Sequence, residues 1–144
     1  MIKVGCVALI ENSAKDILIT ERAIPPFKNL YVMPGGNLKD GESVFDCVKR
    51  EVWEEVGLTI YNPSLFDIFE VFFNDFQYLI IFFKSICQDF NLKIDKSEVL
   101  NAEWVNRNNF QNFPLTEGTN YILSKHFNIE SHNLKGYRDF RDKF

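Results

Sequence analysis

Residues 36 to 58 constrain this chain more than any other stretch: Gly36-Asn-Leu-Lys-Asp-Gly-Glu42, then seven residues, then Arg50-Glu51-Val52-Trp53-Glu54-Glu55-Val56-Gly57-Leu58. Ser43 is a good N-cap with Asp46 three residues on, and Gly57 suits the left-handed position after a helix, so the segment between them reads as one helix. Val44, Phe45, Val48, Val52 and Val56 form its apolar stripe, which must face a core. Pro34-Gly35-Gly36 and Asp40-Gly41 are turn chemistry, which gives the order strand, glycine loop, helix. At i, i+3 and i+4, Glu51, Glu54 and Glu55 project together from that helix. The like charges of Glu51 and Glu55 cost a helix a few tenths of a kcal/mol, and a hard divalent cation such as Mg²⁺ or Mn²⁺ offsets that cost. For a lone E-x-x-E-E the plain reading is a solvated acidic face. Here the glycine loop leads straight into the carboxylates.

Gly36, Glu42, Arg50, Glu51, Val52, Glu54, Glu55, Gly57 and Leu58 fill every fixed position of the pattern G-x5-E-x7-R-E-U-x-E-E-x-G-U, with U a bulky aliphatic residue. The chain therefore resembles the Nudix hydrolases, and a pattern this long is far more specific than a short glycine motif. The likeness continues upstream through Leu18-Ile-Thr-Glu-Arg22 and Tyr31-Val-Met-Pro-Gly-Gly36, and downstream through Glu98 and Glu103-Trp104-Val105. It implies an α/β fold, an α/β/α sandwich around a mixed β-sheet. It also implies water attack on phosphorus in a nucleoside diphosphate linked to another moiety, with Mg²⁺ as cofactor and Mn²⁺ as the alternative. Such ions neutralise the repelling charge of a pyrophosphate and lower the pKa of water.

By the same resemblance Glu51, Glu54 and Glu55 are metal ligands, with the Gly36 carbonyl and Glu98 as further ones, and Arg50 orients a carboxylate. The general base is open between Glu54, on the helix, and Glu98, in the polar stretch Asp95-Lys-Ser-Glu98; the plain alternative for Glu98 is an exposed loop charge. Arg22 ends a strand where relatives place an arginine toward substrate phosphates, and a guanidinium binds phosphate bidentately; an exposed strand-end charge is the competing reading. Phe27 and Tyr31 are the candidates for stacking on a base, and Tyr31 alternatively packs under the glycine loop.

Substrate is less legible. Phe73 and Asn74 stand where the resemblance puts a proline in ADP-ribose hydrolases, and Tyr78 comes too late for a dinucleoside-polyphosphate mark. Arg22-Ala-Ile-Pro-Pro-Phe27 looks more like the ADP-ribose and nucleotide-sugar hydrolases, which favours a nucleoside diphosphate derivative. A (deoxy)nucleoside triphosphate pyrophosphohydrolase is the alternative, and Asn120 lies later than guanine recognition would need. A catalytically silent ligand-binding module is the non-enzyme alternative, against which stands the retention of every signature glutamate.

Composition sets the remaining bounds. With 144 residues and 46% hydrophobic content, the chain suits one domain over residues 1–144. Cys6, Cys47 and Cys87 lack metal-site spacing, and an odd number argues against a disulfide framework, so a reducing cytoplasm is expected. Cys47, one turn before Glu51, reads as a packing residue ahead of a redox group. No leader-like or membrane-spanning apolar run occurs, and a net charge of −4 argues against a nucleic-acid partner. The fifteen phenylalanines are mostly core, and His126 and His132 have no partner motif and read as structural or surface residues.

Strands are expected over 2–10 and 17–22 as a hairpin, at 30–33, over 65–73 and 76–86 joined at Asn74-Asp75, and at 102–105, with a second helix over 116–127. In the 65–73 strand, Phe69, Val71 and Phe73 alternate with Ile68, Glu70 and Phe72, so both faces are apolar there except at Glu70, which predicts a central strand. The tail Tyr137-Arg-Asp-Phe-Arg141 needs a partner for its aromatics; packing on its own domain is expected first, a homodimer contact second.

Overall fold

Alternation along the first strand sorts the whole molecule into two layers. In the computed structural model, which describes residues 1–88, 91–130 and 133–141, β1 (Ile2–Glu11) sends Cys6, Ala8 and Ile10 to one face of a sheet and Leu9 to the other. The first face packs against α1 (Val44–Val56) through Val48, Val52 and Val56, together with Leu18, Leu58 and Phe83. The second packs against α2 (Glu117–His126) through Ile122 and Leu123, together with Ile17, Ile19, Phe82 and Phe110. Each fully buried aliphatic or aromatic side chain here contributes about 1.5–3 kcal/mol. The arrangement is the α/β/α sandwich that the sequence implies.

The sheet is eight-stranded and mixed, with path β3-β2-β1-β6-β5-β8. Its strands beyond β1 are β2 (Ile17–Arg22), β3 (Tyr31–Val32), β4 (Gly35–Asn37), β5 (Tyr61–Phe72), β6 (Gln77–Ile86), β7 (Val99–Val105) and β8 (Tyr137–Asp139). The expected β1–β2 hairpin is pried open: the two strands share only the Glu11–Ile17 pair. β1 instead runs parallel to β6 along its whole length, from Ile2–Gln77 to Glu11–Ile86. Its other edge is taken by β4, a strand where turn chemistry was expected, through Gly5–Asn37, Cys6–Gly36 and Val7–Gly35. Glycine permits that pairing. A Cβ on Gly35 would stand 2.6 Å from the Val7 Cα and closer still to the Cys6 carbonyl oxygen.

β5 is not central as predicted. It pairs with β6, and its outer edge is covered only at Glu70–Phe72 by β8, so Leu65 and Ile68 stay exposed. The register with β6 runs unbroken from Asp67 to Phe72, so Phe69 and Val71 are buried on one face while Ile68, on the other, stands exposed. The tail adds β8 to its own sheet, and Phe140 stacks on Phe73 with ring centroids 5.3 Å apart. His132 lies outside the described residues.

Both helices start as their sequences dictate. Ser43 Oγ accepts from the Asp46 amide at 3.1 Å and Thr116 Oγ1 accepts from the Thr119 amide at 3.4 Å. Gly57 sits at φ 70° after α1. Phe45, expected in the apolar stripe, is 43% exposed, although its ring edge still meets Phe83 at 5.2 Å.

Candidate active site

Arg50 ties the glycine loop to the helix. Its Nε and Nη2 donate to the two oxygens of Glu42 at 2.7 and 3.0 Å, its Nη2 donates to the Asn37 carbonyl at 3.1 Å, and its Nη1 donates to Glu51 Oε1 at 2.7 Å and Glu54 Oε2 at 3.1 Å. The fork geometry of a guanidinium is what allows a bidentate bond on one side and a bridge on the other. Hydrogen bonds from Arg50 pull the Glu42 carboxyl down to about 2. The loop over 36–42 is thereby pinned across the first two turns of α1.

The three helix glutamates do not share one solvated face. Glu54 is half exposed, Glu51 is mostly covered, and Glu55 is buried at 8% exposure. Burial, with the negative charges of Glu98 and Glu51 adding to it, pushes the Glu55 carboxyl up to about 8, while an amide bond from Gly35 acts the other way. Burial also raises Glu51, against the pull of Arg50. Among the described residues no three carboxylate, imidazole or thiol groups are already gathered around one metal position; Arg50 holds Glu51 and Glu54 instead. The donor set nonetheless suits a hard cation. Glu98 lies close enough for its charge to raise the charging cost of both Glu51 and Glu55, and Glu51 adds to that of Glu55. Gly36 leaves the space in which the Glu51 carboxylate lies, since a Cβ there would be 2.8 Å from Oε1 and closer to the other two carboxyl atoms.

Glu98 reaches the site from the segment before β7. The Lys93 and Asp95 amides donate to the Val56 and Glu55 carbonyls at 2.8 and 2.9 Å, and the Ala23 amide donates to the Glu98 carbonyl at 2.9 Å. Arg22 is therefore a close neighbour, paired with Val99 across β2 and β7, and its charge is felt at Glu55. Its Nε donates to the Pro26 carbonyl at 2.7 Å. Phe27, in the same loop, is 41% exposed at φ 65°. Tyr31 is buried at 8% exposure; its ring meets Phe113 edge-on at 5.1 Å and its hydroxyl accepts from Asn101 Nδ2 at 3.0 Å. That placement removes Tyr31 as a stacking surface, and its packing is against Phe113.

The pairing of Tyr78 with Asn37 went unread in the sequence. The Tyr78 hydroxyl donates to Asn37 Oδ1, and Gly5 makes room, since a Cβ there would be 2.7 Å from the ring. A glycine inside an otherwise apolar strand was the signal available. Cys47 is buried beside Cys6, and burial pushes its thiol above the usual range, which suits packing. His126 is lowered by burial and lies between Phe66 and Phe127.

A NUDIX domain family model matches residues 1–126, and the chain belongs to that family. An uncharacterized Nudix hydrolase of Bacillus subtilis, YvcI, is 32% identical over 102 residues, covering 68% of this chain and 65% of that protein. The 8-oxo-dGTP diphosphatase of Escherichia coli is 40% identical over 70 residues, covering 48% and 54%. An ADP-ribose pyrophosphatase of Methanocaldococcus jannaschii is 39% identical over 61 residues, covering 42% and 36%. The chain thus spans less than two thirds of the length of each. A MutT protein structure from Methanosarcina mazei superposes with TM-score 0.76 over 88% of this chain and 93% of that one at 22% identity, which shows the same fold.

Proposed function

We propose that this chain is a Nudix hydrolase that cleaves the pyrophosphate bond of a nucleoside diphosphate derivative, with ADP-ribose or a nucleotide sugar as the favoured class. The observation that carries the reading is the complete signature arranged as one unit: Arg50 pins the loop to α1, Gly36 gives Glu51 its space, and the exposed Glu98 lies near enough for its charge to be felt at the buried Glu55. Glu51, Glu54, Glu55, Glu98 and the Gly36 carbonyl would hold Mg²⁺ or Mn²⁺. When bound, the ion neutralises pyrophosphate charge and makes water more acidic.

The chain's own residues supply the rest. Arg22, released from the Pro26 carbonyl, binds phosphate oxygens; Phe27 flanks the base; Glu98 takes a proton from the attacking water, with Glu54 as the alternative base. Arg50 keeps Glu51 and Glu54 oriented. Residues 1–144 act as one unit in this reading, with β8 completing the sheet. A homodimer would use surfaces other than the tail's packed aromatics. The free cysteines fit a reducing cytoplasm, and among the described residues no helix is long and apolar enough to cross a membrane.

A second reading, a nucleoside triphosphate pyrophosphohydrolase, draws on the 40% identity with the 8-oxo-dGTP diphosphatase. The deciding experiment measures phosphate and nucleoside monophosphate release from ADP-ribose, nucleotide sugars, NADH, dinucleoside polyphosphates and dNTPs with Mg²⁺ or Mn²⁺. Preference for dNTPs would replace the first reading with the second. No turnover of any substrate, with binding retained, would make the chain a ligand-binding module.

A further inference from the structure

Glu98 stands in a segment without helix or strand, so its position must come from specific bonds. Their accounting leads to one residue. The C-terminal carbonyls of a helix lack intrahelical partners, and here the segment before β7 supplies them: Lys93 N–H to Val56 at 2.8 Å and Asp95 N–H to Glu55 at 2.9 Å. Gly57 lets the segment lie that close, because a Cβ at Gly57 would be 2.7 Å from the Lys93 Cβ. Asp95 then turns the chain toward Glu98. Its Oδ1 accepts from Ser97 N and Oγ at 3.0 and 2.7 Å, and its carbonyl accepts from the Glu98 and Val99 amides at 3.0 and 2.9 Å. Beyond Glu98, the carbonyl is held by Ala23, the residue after Arg22.

We propose that Asp95 is a positioning residue that fixes Glu98 relative to Glu55. One residue, Glu55, puts its carboxylate into the site and its carbonyl under Asp95, so the two acids share a single backbone registration. This rests on the assignment of Glu98 to the reaction. Asp95 touches neither substrate nor water in the scheme; it acts through the turn it closes.

The test uses Asp95→Ala, Asp95→Asn, Glu98→Gln and the Asp95→Ala/Glu98→Gln double variant in the full chain. Turnover is read at saturating Mg²⁺, with hydrogen exchange over residues 93–99 and thermal melting as readouts independent of turnover. Asp95→Ala should lower kcat about tenfold with KM little changed, as loose placement of a catalytic group does. Exchange over 93–99 should rise while the melting temperature holds. Asp95→Asn keeps an oxygen acceptor for Ser97 and should restore most of the loss. In the Glu98→Gln background the alanine change should add nothing. Wild-type kcat in Asp95→Ala while Glu98→Gln is impaired, or additive losses in the double variant, overturn the positioning role alone. Wild-type kcat in Glu98→Gln overturns the assignment of Glu98 and the proposal with it. If Asp95→Ala fails to fold, Ser97→Ala, which removes the 2.7 Å donor, should show the same pattern at smaller size, and its absence counts against the proposal.

Discussion

Two adjacent glycines separate chemistry from folding. The three atoms nearest a methyl group on Gly36 would all belong to the end of the Glu51 side chain, 2.8 Å from Oε1 and closer to Cδ and Oε2. Gly36 is not among the positive-φ glycines, which are Gly41 and Gly57, so Gly36→Ala brings no backbone strain. The carboxylate must retreat by about 1 Å to reach ordinary contact, and a misplacement of that order costs about 10²-fold in rate when the group acts in the reaction. Since the moving part is a flexible side-chain end, the stability cost should stay below about 1 kcal/mol. Gly35→Ala is the control: its methyl group would meet the Cys6 carbonyl and the Val7 Cα, which are backbone of β1 and cannot retreat. Overpacking there should cost about 1–3 kcal/mol, or about 2–4 °C of melting temperature per kcal/mol. The assay pairs kcat at saturating Mg²⁺ and Mn²⁺ affinity with thermal melting. Wild-type kcat in Gly36→Ala would show that Glu51 need not lie where it does. Equal loss of stability in the two variants would show that Gly36 serves packing.

Chelation with excess EDTA should abolish turnover and added Mg²⁺ or Mn²⁺ restore it, while Glu54→Gln, at a half-exposed position, should lower kcat far more than melting temperature; full turnover in EDTA sinks the mechanism. Glu98→Gln should lower kcat about 10²-fold or more at saturating metal, and a near wild-type rate returns the base to Glu54. Removing residues 134–144 strips β8 and the Phe140–Phe73 stack, so melting temperature should fall at unchanged mass by light scattering; a dimer-to-monomer shift would reassign the tail to an interface. In the metal-free protein, Glu55 keeps its proton up to about 8 against an ordinary 4.5, so between those values the native state binds more protons than the unfolded one. Its contribution is complete below pH 4.5 and is lost as pH rises through 8. Melting in EDTA from pH 5 to 8 should therefore fall more steeply for the wild type than for Glu55→Gln, and parallel slopes would refute the shift.

Local rules written in the sequence determined α1 with both its ends, most strand positions and the helical grouping of Glu51, Glu54 and Glu55. Capping by Ser43, the left-handed Gly57 and the spacing of Val48, Val52 and Val56 act within a few residues and need no partner from elsewhere. What lies between distant segments was decided only by the fold. The β1–β2 hairpin yields because β4 and β6 occupy the edges of β1, and β5 lies near the rim of the sheet because only the short β8 pairs with its outer edge. Helical spacing put Glu51, Glu54 and Glu55 together, but three side chains on neighbouring turns feel different surroundings. Gly35 bonds the Glu55 carboxyl, Arg50 reaches Glu51 and Glu54, and burial raises the charging cost of Glu51 and lifts the Glu55 carboxyl to about 8.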